Sequence, residues 1–471
     1  VLNFNPYLIM PELFMAAVLV VLFIQSINER LKDKVSWVIL AALIGTFLAA
    51  FSPTGPEFMF YESFRVDTLS QFFKTIIFLG LTICAANARR MGSLDNANRA
   101  DYFLFMYLSA FGLLLLSSTV ELFTMYISLE LASFSLFIML PLRNQDLSAV
   151  EGTIKYVLFG AVATAIGLYG VSYIIAGMHT TYVKELLTMV WSFAQHPMSM
   201  IGLTLFLLTF LYKLALFPFH FWAPDVYQGA SNETAAFAAT MPKVGAIVIL
   251  VRLMSFAPGI EVKTILAVMA VVSMTLGNLI ALRQDDVKRL LGYSSVSHAG
   301  FIVIGLVAGG AYGLAAASYY ALVYMVMNLT IFWVVTRISR DGENVMIEDL
   351  RGLYSSSPTL AFVLAVSAFA LVGLPPTAGF IGKLFLFNTA WAEGFQWLVV
   401  VGVINTALAI FYYLNLVRHA YTMEQSTPGK INLSFAGGSV AMVLALVVLY
   451  LGVMPHAIFN ILLQASQGLI S

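Results

Sequence analysis

Apolar residues in this chain come in long, nearly unbroken runs separated by short polar stretches. A helix needs about 20 consecutive apolar residues to cross the hydrocarbon of a bilayer. Fourteen such runs can be counted, at roughly 8–25, 36–51, 69–86, 102–119, 121–142, 152–177, 199–218, 233–256, 263–282, 293–309, 311–336, 358–381, 383–417 and 433–455. The pattern predicts an all-α, polytopic membrane protein with about 14 transmembrane helices and little chain left for a soluble domain. The first run has no charged leader and no small-residue cleavage site, so it reads as a retained helix rather than a signal peptide.

Two runs carry breakers in their interiors. The seventh includes Lys213, Pro218 and His220, and the twelfth includes Gly373, Pro375, Pro376, Gly379, Gly382 and Lys383. Proline removes a backbone donor and clashes one turn back, so each helix should be interrupted and leave freed carbonyls near a lysine. The two runs lie five spans apart, and an odd offset makes equivalent helices cross in opposite directions. Broken helices at corresponding places in two halves mark the ion site of inverted-repeat transporters. The expected organisation is two inverted five-helix repeats with broken seventh and twelfth helices. Residues 1–100 hold flanking spans one to three, 101–257 the first repeat (spans four to eight), 258–420 the inverted second repeat (spans nine to thirteen), and 421–471 span fourteen and a tail.

Charge sharpens this picture. The 471 residues are 60% hydrophobic and 10% charged, against about 25% charged in soluble domains. The formal net charge of zero excludes nothing, but placement is informative. Odd-numbered loops hold fifteen Lys and Arg, from Arg30 to Lys430, whereas even-numbered loops hold only Arg65, Lys184 and Lys263. By the positive-inside rule the odd loops face the cytoplasm. The protein therefore reads as an integral, multi-pass protein of a bacterial inner membrane with both termini on the periplasmic side. Cys84 is the single cysteine, and there is no haem-attachment motif, paired-His helix or Gly-x-Gly-x-x-Gly after a strand. Neither a metal nor another cofactor is expected in this chain, nor is a nucleic-acid partner, and any redox chemistry should belong to neighbouring proteins.

The remaining six basic residues, Lys74, Lys155, Lys213, Lys243, Arg252 and Lys383, fall inside apolar runs. A cation at mid-bilayer costs roughly 2.5–3.5 kcal/mol on insertion scales, so repeated tolerance of that cost points to ion movement. Glu130 is the carboxylate deepest in any run. Paired with Lys213 it forms either a static tie between helices or a switchable pair that moves a lysine between protonation states. Lys155 lies near the cytoplasmic start of its span and either snorkels or joins the relay. Lys243 is deeper, and Lys383 should be the far end of the relay. His298, one turn into the tenth span among hydroxyls, suits a proton relay chemically but also suits a structural role. Tyr156, Tyr227, Tyr320, Tyr324, Ser133, Ser297 and Asn328 could organise water between these groups. Lys74 and Arg252 lie near the outer interface, and their stems should carry their charges to water.

Three stretches resemble a known family. Phe217–Ala230, containing Asp225-Val-Tyr227-Gln-Gly229, together with Val287–His298 and Gly373–Lys383, is similar to the antiporter-like membrane subunits of respiratory complex I and the related Mrp-type sodium/proton antiporters. Within that family the Asp-Val-Tyr-x-Gly ending is most like subunit N, the subunit 2 type. The sequence stops soon after span fourteen and so lacks the long amphipathic tail of subunit L. The resemblance covers about residues 100 to 420. It implies Glu130–Lys213 as the carboxylate–lysine pair, Lys243 as the central lysine, Lys383 as the lysine toward the exit, and Lys155 at a family lysine position. The chain departs from the family at Ser231–Thr234, where a Pro-Thr-Pro-Val-like run is usual; Lys243 stays in register.

The function this implies is proton translocation within an NADH-quinone oxidoreductase, through a buried Glu/Lys relay. Quinone, FMN and iron–sulfur clusters would lie in partner subunits, which would include further antiporter-like membrane subunits, with the lipid bilayer around the whole. A stand-alone cation/proton antiporter is the first alternative, although sodium sites favour carboxylate and carbonyl oxygens and this interior is rich in lysine. A non-transporting structural subunit is the second.

Overall fold

The structure, a computed structural model, describes residues 5–95, 98–143, 147–256, 259–422 and 433–470. Its helices are α1 (Met10–Ile27), α2 (Val38–Ala50), α3 (Thr68–Asn87), α4 (Arg99–Ser118), α5 (Leu122–Met139), α6 (Leu147–Met178), α7 (Val183–Leu186), α8 (Pro197–Leu214), α9 (Trp222–Gly229) and α10 (Asn232–Met254). They continue with α11 (Ile260–Ala281), α12 (Val287–Ala308), α13 (Gly310–Ile338), α14 (Leu353–Ser356), α15 (Pro358–Val372), α16 (Ala378–Ala392), α17 (Gln396–Thr422), α18 (Phe435–Val453) and α19 (His456–Ile470). Among the described residues, 12 helices are individually long and apolar enough to cross a membrane. The 13-residue α2 and the broken pair α15–α16 complete fourteen crossings.

Both expected interruptions are present and end alike. α8 stops at Ala215, whose φ of 60° is left-handed, and the Leu216 N–H bonds back to the Leu211 carbonyl at 3.0 Å. α15 stops at Gly373, φ 90°, and the Leu374 N–H bonds to the Phe369 carbonyl at 3.0 Å. Each is a six-to-one closure of the kind that satisfies carbonyls left over at a helix end. Pro218 and the Pro375–Pro376 pair then turn the chain into α9 and α16.

α10 is buried along its whole length, and α12 and α13 nearly so. These three carry Lys243, His298, Tyr320 and Tyr324, so the polar side chains of the interior turn toward one another and not toward lipid. The outward faces of α1, α2, α6 and α17 are apolar, with Val20, Phe23, Phe47, Leu158 and Phe411 exposed, as hydrocarbon requires.

The structure revises several expectations. The thirteenth crossing begins at Gln396 rather than 383, because α16 belongs to the broken twelfth helix and the turn is made at Gly394, φ 87°; Glu393, Gly394 and Gln396 are the polar break that marks it. A small antiparallel hairpin, β1 (Glu57–Met59) with β2 (Phe64–Val66), precedes α3. α19 follows the last crossing and is tied to the hairpin by a 2.9 Å bond from Arg65 Nη2 to the Gly468 carbonyl. Lys430 and the boundary at 257–258 lie outside the described residues.

Lys74 and Arg252 do not reach water. Lys74 is 0% exposed and pairs with Glu12 of α1 at 2.6 Å. Arg252 is 1% exposed and grips Asp67 through two 3.0 Å bonds, with a third to the Ser117 carbonyl. Each carboxylate comes from an element distant in sequence: Glu12–Lys74 joins α1 to α3 within the flanking spans, and Asp67–Arg252 ties the segment before α3 to α10 of the first repeat. Burial pushes the Asp67 carboxyl up, but Arg252 and Arg65 outweigh it and hold it below the usual carboxylate range.

Replacing Arg252 with Ala leaves the buried Asp67 with Arg65 but without the two bonds from Arg252. The change should cost about 1–3 kcal/mol and lower the thermal midpoint of the detergent-solubilised protein; an unchanged midpoint would contradict the assignment. Because the folded-state carboxyl titrates low, its stabilisation is fully present above the unfolded value of about 3.9. It is lost as pH falls through the folded value, so the gap between wild type and variant should persist near neutral pH and close only in strong acid.

Candidate functional site

The two breaks and the buried central helices bring most of the candidate residues into one interior. Lys213 lies in the last turn of α8, 3% exposed, inside a cage of three rings: Tyr156 at 4.8 Å, Tyr212 at 5.3 Å and Phe137 at 5.5 Å from Nζ to the centroid. Its ammonium donates to the Tyr156 hydroxyl at 3.2 Å. Glu130, half-buried on α5, accepts from Thr164 Oγ1 at 2.9 Å and is the carboxylate whose charge reaches Lys213. The two are not in direct contact, and the Tyr156 ring lies against the lysine in its place.

Lys243, 1% exposed on α10, donates to the Ser295 carbonyl at 3.1 Å and to the Ser295 hydroxyl, with its Nζ 5.5 Å from the Tyr324 ring centroid. His298 lies further along α12 from Ser295 and shares a 2.8 Å hydrogen bond between Nδ1 and the Tyr320 hydroxyl. It is buried within electrostatic range of both Lys243 and Lys383. Lys383 is 4% exposed and donates to the Val372 carbonyl at 2.8 Å and to Thr406 Oγ1 at 3.4 Å, with the Phe301 ring centroid at 4.2 Å. Val372 is the last residue of α15, so the carbonyl freed by the break is the one the lysine takes.

Lys155 stands apart. Its side chain is 38% exposed and pairs with Glu151 and Asp225, both at 2.7 Å. Asp225 also pairs with Arg289 at 2.7 Å. Of the accessory groups, Tyr227 bonds the Ser295 hydroxyl at 3.1 Å and the Tyr324 hydroxyl donates to the Ala239 carbonyl at 3.1 Å. Asn328 and Ser133 bond backbone carbonyls of their own helices.

The central lysines thus differ in kind from the flanking cations. Lys213, Lys243 and Lys383 hold neutral oxygens and ring faces, whereas Lys74, Arg252, Lys155 and Arg289 hold carboxylates. Sequence reasoning missed Glu12, Asp67 and Asp225 as partners, and also Glu233, which is buried where the charges of Lys288 and Arg337 reach it. Asp225 was the most findable, since it follows the Pro218 break by seven residues. At the sequence departure, Ser231 caps α10 by accepting from the Thr234 N–H at 3.1 Å.

A buried, lysine-lined interior built on two oppositely directed broken helices defines an antiporter-like membrane protein, and comparison with known proteins fixes the family. The description "NADH:quinone oxidoreductase/Mrp antiporter, TM" matches residues 119–409, and the chain belongs to that family. It is 51% identical to NADH-quinone oxidoreductase subunit N 2 of Solidesulfovibrio magneticus, over 98% of each chain. It is 40% identical to the subunit N 2 of Opitutus terrae, over 95% of each. A chain of respiratory complex I from Thermus thermophilus superposes with a TM-score of 0.83 at 29% identity, covering 96% of this chain and 98% of that one. A chain of the Mrp complex from Dietzia shares the fold, with a TM-score of 0.87 at 20% identity over 99% of this chain and 98% of that one.

Tyr156→Phe removes the hydroxyl that accepts from Lys213 and keeps the ring. A buried donor left without its partner costs about 1–3 kcal/mol, so the thermal midpoint of the detergent-solubilised protein should fall. Ser295→Ala leaves the backbone carbonyl for Lys243 and should lower it less. Equal midpoints for wild type and Tyr156→Phe would show that the hydroxyl does not hold Lys213.

Proposed function

We propose that this chain is a proton-translocating membrane subunit of an NADH-quinone oxidoreductase and assembles with other membrane subunits, further antiporter-like ones among them. Quinone, FMN and iron–sulfur chemistry belongs to its partners. The observation that carries this reading is the set of three buried lysines on neutral oxygens, Lys213, Lys243 and Lys383, with His298 buried in the same interior on Tyr320. A charged lysine locked to a carboxylate has little reason to release its proton. One held by a hydroxyl or carbonyl in a low-dielectric interior changes protonation when a nearby charge moves.

Glu130 is that charge for Lys213. Drawing Glu130 away lowers the lysine's hold on its proton, which passes through Lys243 and His298 toward Lys383. Lys155 lies at the entrance on the side of the odd-numbered loops, the cytoplasmic side in this reading, with both termini periplasmic in a bacterial inner membrane. Residues 101–257 and 258–420 act as the two inverted halves of the path. Moving one charge through 100 mV requires about 2.3 kcal/mol, which quinone reduction in partner subunits must supply through a change in these charge arrangements. Water reaches the path where the breaks at Pro218 and Pro375 loosen the backbone.

Lys213→Ala and Glu130→Ala should each abolish quinone-coupled proton uptake by proteoliposomes of the whole complex while leaving the complex assembled. Full pumping by either variant would remove the relay. Lys383→Ala separates the relay from a scaffold, because a subunit that only holds the assembly together should tolerate it.

A further inference from the structure

The eight residues of α9 pack against the Lys213 cage, pair with Lys155 and reach into the second half. Trp222 donates from Nε1 to the Tyr212 carbonyl at 3.0 Å and lies 4.5 Å from the Tyr156 ring, so it forms the back wall of the Lys213 cage. Tyr227 shares the Ser295 hydroxyl that Lys243 uses. Asp225, between them, is the one carboxylate of the segment and holds Lys155 of α6 and Arg289 of α12, each at 2.7 Å.

The fit around α9 is close on both sides. A Cβ on Gly292 of α12 would meet Pro224 Cα at 2.6 Å, and one on Gly152 of α6 would meet the Asp225 carbonyl at 3.0 Å. The far end of α9 is gripped as well. Arg143 donates to the Gly229 carbonyl at 3.1 Å, Asn344 to the Gln228 carbonyl at 3.0 Å, and Lys288 to the Ala230 carbonyl at 2.5 Å. Cations at the carbonyl end of a helix are favourable, and two of these donors, Lys288 and Asn344, belong to the second half. An element wedged this tightly moves as a unit, since packed interiors switch between discrete arrangements instead of deforming smoothly.

We propose that α9 is the rod that couples Lys213 to Lys243, and that Asp225 is the positioning residue that sets it, its charge shared between a cation from each half. A shift of α12 relative to α6 redistributes Asp225 between Arg289 and Lys155, and α9 carries that shift to the Lys213 cage through Trp222 and to Ser295 through Tyr227. This inference rests on the proton-relay reading above.

The test uses the intact complex in proteoliposomes and the ratio of protons taken up to quinone reduced. Asp225→Asn should lower that ratio to the value found for Lys213→Ala, since groups misplaced by about 1 Å transfer far more slowly. Asp225→Glu, which keeps the charge, should recover most of it. A wild-type ratio in Asp225→Asn, or a Glu variant as inactive as the Asn variant, would overturn the proposal. If Asp225→Asn does not assemble, Arg289→Gln takes its place with the same expected fall, and a wild-type ratio there overturns it too. Lys213→Ala is run alongside: loss in that variant with full pumping in both Asp225→Asn and Arg289→Gln removes α9 coupling alone, whereas full pumping by Lys213→Ala removes the relay reading itself.

Discussion

An ammonium group in a low-dielectric interior must find partners, and which partners it finds decides whether it is fixed or free to change. Breaking a buried ion pair leaves an uncompensated charge and costs several kcal/mol, so a lysine on a carboxylate is held. A lysine on hydroxyls, carbonyls and ring faces is stabilised less, and its neutral form loses little there. This protein uses both arrangements in different places. Glu12–Lys74 and Asp67–Arg252 fasten the flanking helix α1 and the segment before α3 to the rest of the fold. The three lysines of the interior have neutral partners, and the distinction separates structural cations from those able to take part in transfer.

The broken helices supply part of what the central lysines need, and the two breaks do so unequally. At α15 the freed Val372 carbonyl goes directly to Lys383. At α8 the Leu211 carbonyl accepts the Leu216 N–H, as Phe369 accepts Leu374 at α15, and the Tyr212 carbonyl accepts the Ala215 N–H and Trp222 Nε1. Lys213 is left to a hydroxyl and three ring faces, whose quadrupoles favour a cation by about 0.5–2 kcal/mol each. An inverted pair of helices can thus hold a lysine at each break without holding it in the same chemistry.

Much of the fold was legible because bilayer thickness fixes run length and proline interrupts a helix wherever it stands. The fourteen crossings and both breaks follow from those two facts. The start of the thirteenth crossing did not, although Glu393, Gly394 and Gln396 mark it, because the apolar residues on both sides were read as one run. Partners were harder to read than sites. The burial of Lys213, Lys243 and Lys383 could be expected from depth in their runs. Nothing in local sequence says that Lys74 meets Glu12, 62 residues away, or that Arg252 meets Asp67; near-interface position suggested water instead. The space between Glu130 and Lys213 was equally hidden, because a pairing inferred from depth does not reveal that Tyr156 takes the lysine's hydrogen bond.

The central claim is that the buried lysines are joined through a hydrated, hydrogen-bonded interior. A map of the assembled complex at a resolution that shows ordered water tests it most directly. The account predicts waters linking the Lys213 cage to the Ser295 site of Lys243, and linking His298 to Lys383. Dry apolar packing between those groups, or lysine heads turned outward to lipid, would contradict it.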